Sequence, residues 1–314
     1  MSCQTKYYLL LLLILFVQCS KEEQESAAAT EMQSLVKEIS AYTKNRQPGF
    51  NIIPQNGMEL AFVDLDPNGA LEQDYLDAVD AFGIESLYYE GSRMEDMERV
   101  SEAKSLAKHK PVFVAEYIDD PNAYTAALQI NKGLGFIPFI RTSDNYDYQY
   151  IPSALEDENA RNILEMEDAR NFLYLISTDA FSAKDDMLSA IANTNYDLVL
   201  IDLFFNDAPL TTEDLARIRF KANAGRRLLV AYVNIGAAEN YRYYWQSDWK
   251  RGKPSWLKKN YPGYPDEIYV EFWNEAWKEI LFGNGDAYLD RIIDAGFDGA
   301  YLDNVEAYYF LYHN

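Results

Sequence analysis

The sequence predicts an α/β fold, a (β/α)8 TIM barrel formed by residues 31–314, on three observations. Eight short apolar runs punctuate the chain, at 50–54, 84–90, 112–118, 136–141, 172–177, 198–202, 228–235 and 299–303. Most lack strict polar alternation, which marks parallel strands buried on both faces. Amphipathic helical patterns stand between them, and the series fills about 280 residues, the usual size of such a barrel. A doubly wound sheet is the alternative, but no Gly-x-Gly-x-x-Gly turn follows any of the runs.

Residues 1–18 read as a signal peptide. Lys6 precedes an unbroken apolar run from Leu9 to Val17, too short to span a bilayer but suited to a secretory core. The run ends at Phe-Val-Gln-Cys, which resembles a bacterial lipoprotein signal with Cys19 as the lipidated mature N-terminus. Gln18 is bulkier than the small residue usual at that position. Residues 19–30 follow as a polar tether to an exported protein on the outer membrane, held by its lipid anchor. Cys3 lies in the removed part, so cysteine catalysis and disulfides are excluded.

The helices have legible ends. The barrel region opens with a helix from Glu31 to Lys44. Leu71, Tyr75, Ala78, Val79 and Phe82 fall on one helical face that ends at Gly83. Asp120-Pro121 is an N-cap followed by proline at the first helical position. Thr211 and Thr212 open a helix that stops at Gly225, and a later helix stops at Gly296. A helix therefore comes first and a strand nearly last, the reverse of the standard order.

The formal charge of −22 repels nucleic acid and anionic lipid, so neither is an expected partner. With His109 and His313 the two histidines, an imidazole metal site is not expected, nor is any cofactor. A monomer is the expectation. Twenty-five Tyr, 16 Phe and 5 Trp can serve as sugar-stacking platforms, though a large core also consumes aromatic rings. Barrel chemistry sits at the C-terminal ends of the strands. Those positions carry Gln55 and Asn56, Glu90, Glu116 with Asp119 and Asp120, Arg141, Asp202, Asn234 with Glu239, and Asp303 and Asn304 with Glu306. Carboxylates dominate, which favours glycoside hydrolysis by an acid/base and a nucleophile. Acidic rings also serve structurally, pairing with Arg or capping helices.

Longer motifs are more specific. Tyr-Asp-Leu-Val-Leu-Ile-Asp (196–202), Leu-Val-Ala-Tyr-Val-Asn-Ile-Gly-Ala-Ala-Glu-Asn-Tyr-Arg-Tyr-Tyr-Trp (229–245) and Gly-Phe-Asp-Gly-Ala-Tyr-Leu-Asp-Asn-Val-Glu-Ala-Tyr (296–308) resemble the endo-α-1,4-polygalactosaminidase family, glycoside hydrolase family 114, in its bacterial branch. Segments 35–39, 50–57, 86–90, 112–119 and 135–141 resemble the second half of that family, yet here they precede the first half. The resemblance therefore implies a circular permutant, rejoined through residues 142–170. It places the catalytic pair on the family's strands four and six, implying Asp303 as nucleophile and Glu90 as acid/base of a retaining mechanism. Asp202, Tyr232, Glu239, Asn304, Glu306, Asn56, Tyr89, Glu116 and Arg141 would bind substrate, a galactosamine-rich and cationic polysaccharide. Ala237 and Glu306 depart from the family, which often has Glu and Asp there. A non-catalytic glycan-binding lipoprotein on the same fold is the alternative.

Overall fold

The computed structural model describes the backbone of residues 3–142 and 148–313, and side chains from residue 21 onward. The Cys19 side chain and residues 143–147 lie outside it. One long helix, α1 (Cys3–Arg46), opens the chain, and the polar segment 20–30 continues it, with Ala28 and Ala29 buried. There follow β1 (Asn51–Pro54), α2 (Gln73–Ala78), β2 (Phe82–Arg93), α3 (Met97–Leu106), β3 (Val112–Ile118), α4 (Tyr124–Gly133) and β4 (Ile137–Arg141). After an irregular segment come β5 (Phe172–Leu175), α5 (Lys184–Ala192), β6 (Leu198–Asp202), the two-residue strands β7 (Phe204–Phe205) and β8 (Ala208–Pro209), α6 (Thr212–Ile218) and β9 (Leu228–Asn234). The chain continues through β10 (Ala237–Glu239), β11 (Leu257–Asn260), β12 (Glu267–Val270), α7 (Glu275–Leu281), α8 (Tyr288–Ala295), β13 (Gly299–Asp303) and α9 (Ala307–Phe310).

All eight apolar runs fall on strands. Five form one parallel sheet in the order β1-β13-β9-β6-β5, and β2-β3-β4 form a second, so the fold is mixed α/β with a parallel centre. A parallel bridge between Gln55 and Gly83 links β1 to β2. No hydrogen-bonded ladder joins β4 to β5 among the described residues, although the rings of Phe139 and Phe172 pack there at 5.6 Å. Strand residues such as Ile52, Val114, Val199 and Val230 are fully buried. Each such side chain contributes roughly 1.5–3 kcal/mol of burial.

Local chemistry sets the helix ends. Thr211 caps α6 in a reciprocal box with Asp214, and the left-handed Gly296 closes α8. Asp120 accepts from the Asn122 amide and opens a single 3-10 turn that leads into α4. Two helices stop short of their expected ends. α2 ends at Ala78, and Phe82 and Gly83 belong to β2. Asp80 exchanges hydrogen bonds with Ile52 on β1 through its backbone amide and its carboxylate, which holds this stretch extended. α6 ends at Ile218 rather than Gly225, because Phe220 and Arg226 form a bridge beyond it. Helix α1 seals β1 and α2 with the fully buried Leu35, Val36 and Ile39, and Tyr42 donates to Asp290 on α8 at 2.6 Å.

Candidate active site

In three neighbouring strands, β13, β1 and β2, the ladder gives way to a left-handed residue that turns the chain: Asn304 (φ 59°) and Asn56 (φ 56°) beyond the ends of β13 and β1, and Ser86 (φ 51°) at the break within β2. The residues just before Asn304 and Ser86 are Asp303 and Glu85. Both carboxyls, with Asp202, Tyr232, Glu267 and Arg242, line one cleft of about 730 Å³ at the C-terminal strand ends. One wall is the antiparallel sheet β10-β12-β11, where Tyr261 and Tyr264 stack with ring centroids 4.9 Å apart.

A tyrosine hydroxyl holds each of the two carboxyls. Tyr232 donates to Asp303 at 2.5 Å, and the Asn304 amide adds a second bond at 2.7 Å. Burial nevertheless pushes Asp303 up to about 7, helped by the nearby negative charges of Glu85 and Glu239. Tyr148 donates to Glu85, whose backbone is also fixed. The Glu85 amide donates to Asn56 Oδ1 at 3.1 Å, and Arg99 donates to the carbonyls of Glu85 and Ser86, each at 3.0 Å. Burial raises Glu85 as well, against the opposing effects of Tyr148 and Arg141. A third carboxyl, Glu267, is pushed up to about 9 by burial and by the charges of Glu239 and Asp303.

The expected partner, Glu90, is not at this cleft. It is solvent-exposed, because β2 breaks its ladder after Glu85 and resumes it at Glu90 opposite Tyr117. Glu116 causes the break. Its carboxylate, fully buried, accepts from the amides of Leu87, Tyr88 and Tyr89 at 3.0–3.1 Å and from the Asn131 side chain at 2.9 Å. Four donors occupy it, so Glu116 shapes the strand end and is not positioned to bind substrate, contrary to the sequence reading.

The other expected site residues divide similarly. Asp202 and Tyr232 line the cleft, and Asp202 grips Arg242 through paired bonds of 3.0 and 2.7 Å. Glu239 is buried behind them, bonded to Arg242 at 2.8 Å and to the Tyr241 hydroxyl at 2.6 Å, so it orients Arg242 rather than facing substrate. Asn304 and Asn56 turn the strand ends. Glu306 stands apart from the cleft near Glu59, Arg99 and Asn56, and burial lifts it to about 7. Tyr89 is buried, its amide on Glu116. Arg141 is buried with its guanidinium 3.7 Å from the Tyr148 ring centroid.

Sequence reasoning missed Glu85, Glu267, Tyr148, Tyr174, Tyr261 and Tyr264. For Glu85 a signal was available, since it is the one charge inside Phe-Gly-Ile-Glu-Ser-Leu-Tyr-Tyr (82–89). Among the described residues no group of three or more His, Cys, Asp or Glu is arranged to hold a metal ion.

Comparison with known proteins places this geometry in context. The model of glycoside-hydrolase family GH114 matches residues 158–314. An uncharacterized protein of Deinococcus radiodurans is 42% identical over 121 residues, 38% of this chain and 37% of that protein. One of Thermotoga maritima is 37% identical over 118 residues, 38% of this chain and 35% of its own. A third, of Methanocaldococcus jannaschii, is 32% identical over 154 residues, 48% of this chain and 41% of its own. The chain thus spans well under half the length of each of these relatives.

Proposed function

This chain belongs to glycoside-hydrolase family GH114, and from that premise we propose that it hydrolyses glycosidic bonds of an amino-sugar polysaccharide, with Asp303 and Glu85 as its carboxyl pair. One observation carries the assignment: both groups open into one cleft, each bonded to a tyrosine hydroxyl. In a retaining sequence, Glu85 protonates the glycosidic oxygen while the Asp303 carboxylate attacks the anomeric carbon. The leaving sugar departs, Glu85 then takes a proton from water, and the resulting hydroxide displaces Asp303. Tyr232 and the Asn304 amide steady the nucleophile, and burial favours the protonated form of Glu85.

We read the two parallel sheets as one (β/α)8 barrel in permuted order, in which β5, β6, β9, β13, β1, β2, β3 and β4 are strands one to eight. Asp303 then stands on strand four and Glu85 on strand six. Two facts support this. The family match begins at residue 158, just before β5. After β13 the chain returns to α1, where His313 meets Glu25 at 2.7 Å, so α1 occupies the place of the helix between strands four and five. Export and lipidation at Cys19 would set the enzyme on the outer membrane, its acidic cleft suited to a cationic, galactosamine-rich chain.

The test is a set of three variants assayed for reducing ends released from galactosamine-containing polymers. Asp303→Asn and Glu85→Gln should each lose about a thousandfold or more in rate, and Glu90→Gln should stay near the parent. Loss in Glu90→Gln with an active Glu85→Gln would reverse the pairing. Polymer binding without hydrolysis by the parent would leave a glycan-binding lipoprotein instead.

A further inference from the structure

We infer that Tyr148, supplied by the segment joining β4 to β5, is a positioning residue that aims the Glu85 carboxyl into the cleft. The ring is clamped on both faces. Arg141 lies 3.7 Å from its centroid and Tyr174 stacks at 3.8 Å with planes 21° apart, distances that two groups cannot share on one face. The backbone is held as well, since the Ser177 amide beyond β5 donates to the Tyr148 carbonyl at 3.1 Å. Tyr174 is itself fixed, fully buried and edge-on to Tyr301 on β13. With 4% of its surface exposed, Tyr148 has one mobile feature left, its hydroxyl hydrogen, and that hydroxyl meets Glu85.

A glutamate has three rotatable bonds, so an acid/base glutamate needs an external group to hold its direction. Donation from Tyr148 to one oxygen leaves the other to carry the proton to and from the glycosidic oxygen. The charged and polar groups facing Glu85 from the surrounding elements are Arg141 of β4, Gln55 after β1, Arg99 of α3, Asp303 and Tyr301 of β13, and Tyr174 of β5. Tyr148 joins them from the segment between β4 and β5, so that segment takes part in the site. The inference rests on Glu85 being the acid/base.

The experiment compares the full chain with Tyr148→Phe, Arg141→Lys and Glu85→Gln, following kcat and KM against pH and titrating Glu85 by carboxyl 13C NMR. Removing a donor from the carboxylate disfavours its charged form, so in Tyr148→Phe the Glu85 titration should rise by about one pH unit. The alkaline limb of kcat should move with it, and kcat should fall about tenfold or more with KM little changed. Arg141→Lys keeps the charge and loses the flat clamp, so it should show a smaller fall in kcat. An unmoved Glu85 titration and an unchanged kcat in Tyr148→Phe would overturn the proposal, as would an Arg141→Lys defect confined to KM. An active Glu85→Gln would instead remove the acid/base assignment, a failure distinct from that of Tyr148.

Discussion

Strand β13 delivers Asp303 and strand β2 delivers Glu85, and in both the following residue is left-handed, Asn304 at φ 59° and Ser86 at φ 51°. The two ends reach this geometry by different means. Asparagine tolerates the left-handed region, and Asn304 also bonds Asp303 through its amide and side chain, so β13 ends by its own local chemistry. Serine has no such preference, and the conformation costs about 1–2 kcal/mol for an ordinary residue. At β2 that cost is offset from outside, by the Glu116 carboxylate that gathers three successive amides after Ser86. A self-sufficient strand end can be recognised in sequence; one made by a neighbouring strand cannot.

The sharpest way to break that comparison is to remove the outside support. Glu116→Ala leaves three buried amides without their acceptor and should cost about 3 kcal/mol or more in a urea melt, with loss of activity as Glu85 drifts. A cost below about 1 kcal/mol would mean that β2 turns without the cradle. Next in size is the buried acid on the cleft wall. Glu267 ionises near its ordinary value, 4.5, when unfolded and at about 9 when folded. Its raised value therefore favours the fold fully below about 4.5, and that stability is lost as pH climbs through about 9. Glu267→Gln should melt close to the parent at acid pH and above it at pH near 9. An equal melting difference at both ends would show that Glu267 is not held protonated. The smallest effect belongs to the self-sufficient end: Asn304→Ala should cost about 1 kcal/mol, while Asn304→Gly should cost less because glycine accepts the left-handed turn. If Ala and Gly cost the same, backbone strain is not what Asn304 relieves.

The strands were legible because buried parallel strands carry their signature locally, as apolar runs between turn residues, and all eight fell where expected. Asp303, Asp202 and Tyr232 were legible for the same reason, being terminal or near-terminal residues of clean strands. Glu90 was misplaced because the run 84–90 looks like one unbroken strand, whereas Glu116, on the next strand in the sheet, pulls 87–89 out of the ladder. Tyr148 gave no sign because it lies in an irregular segment and is clamped by Arg141 and Tyr174, on two different strands. Glu267 gave none because its charge state depends on burial and on Glu239 and Asp303, both distant in sequence.

By itself the sequence determined which segments become strands and helices, the family, and that a ring of acids would gather at the strand ends, since hydrophobic period, capping and motif are all written within short stretches. Only the tertiary structure decided which acids share the cleft with Asp303, because that turns on a one-strand break made by a carboxylate from the neighbouring strand and on a tyrosine clamped between two others.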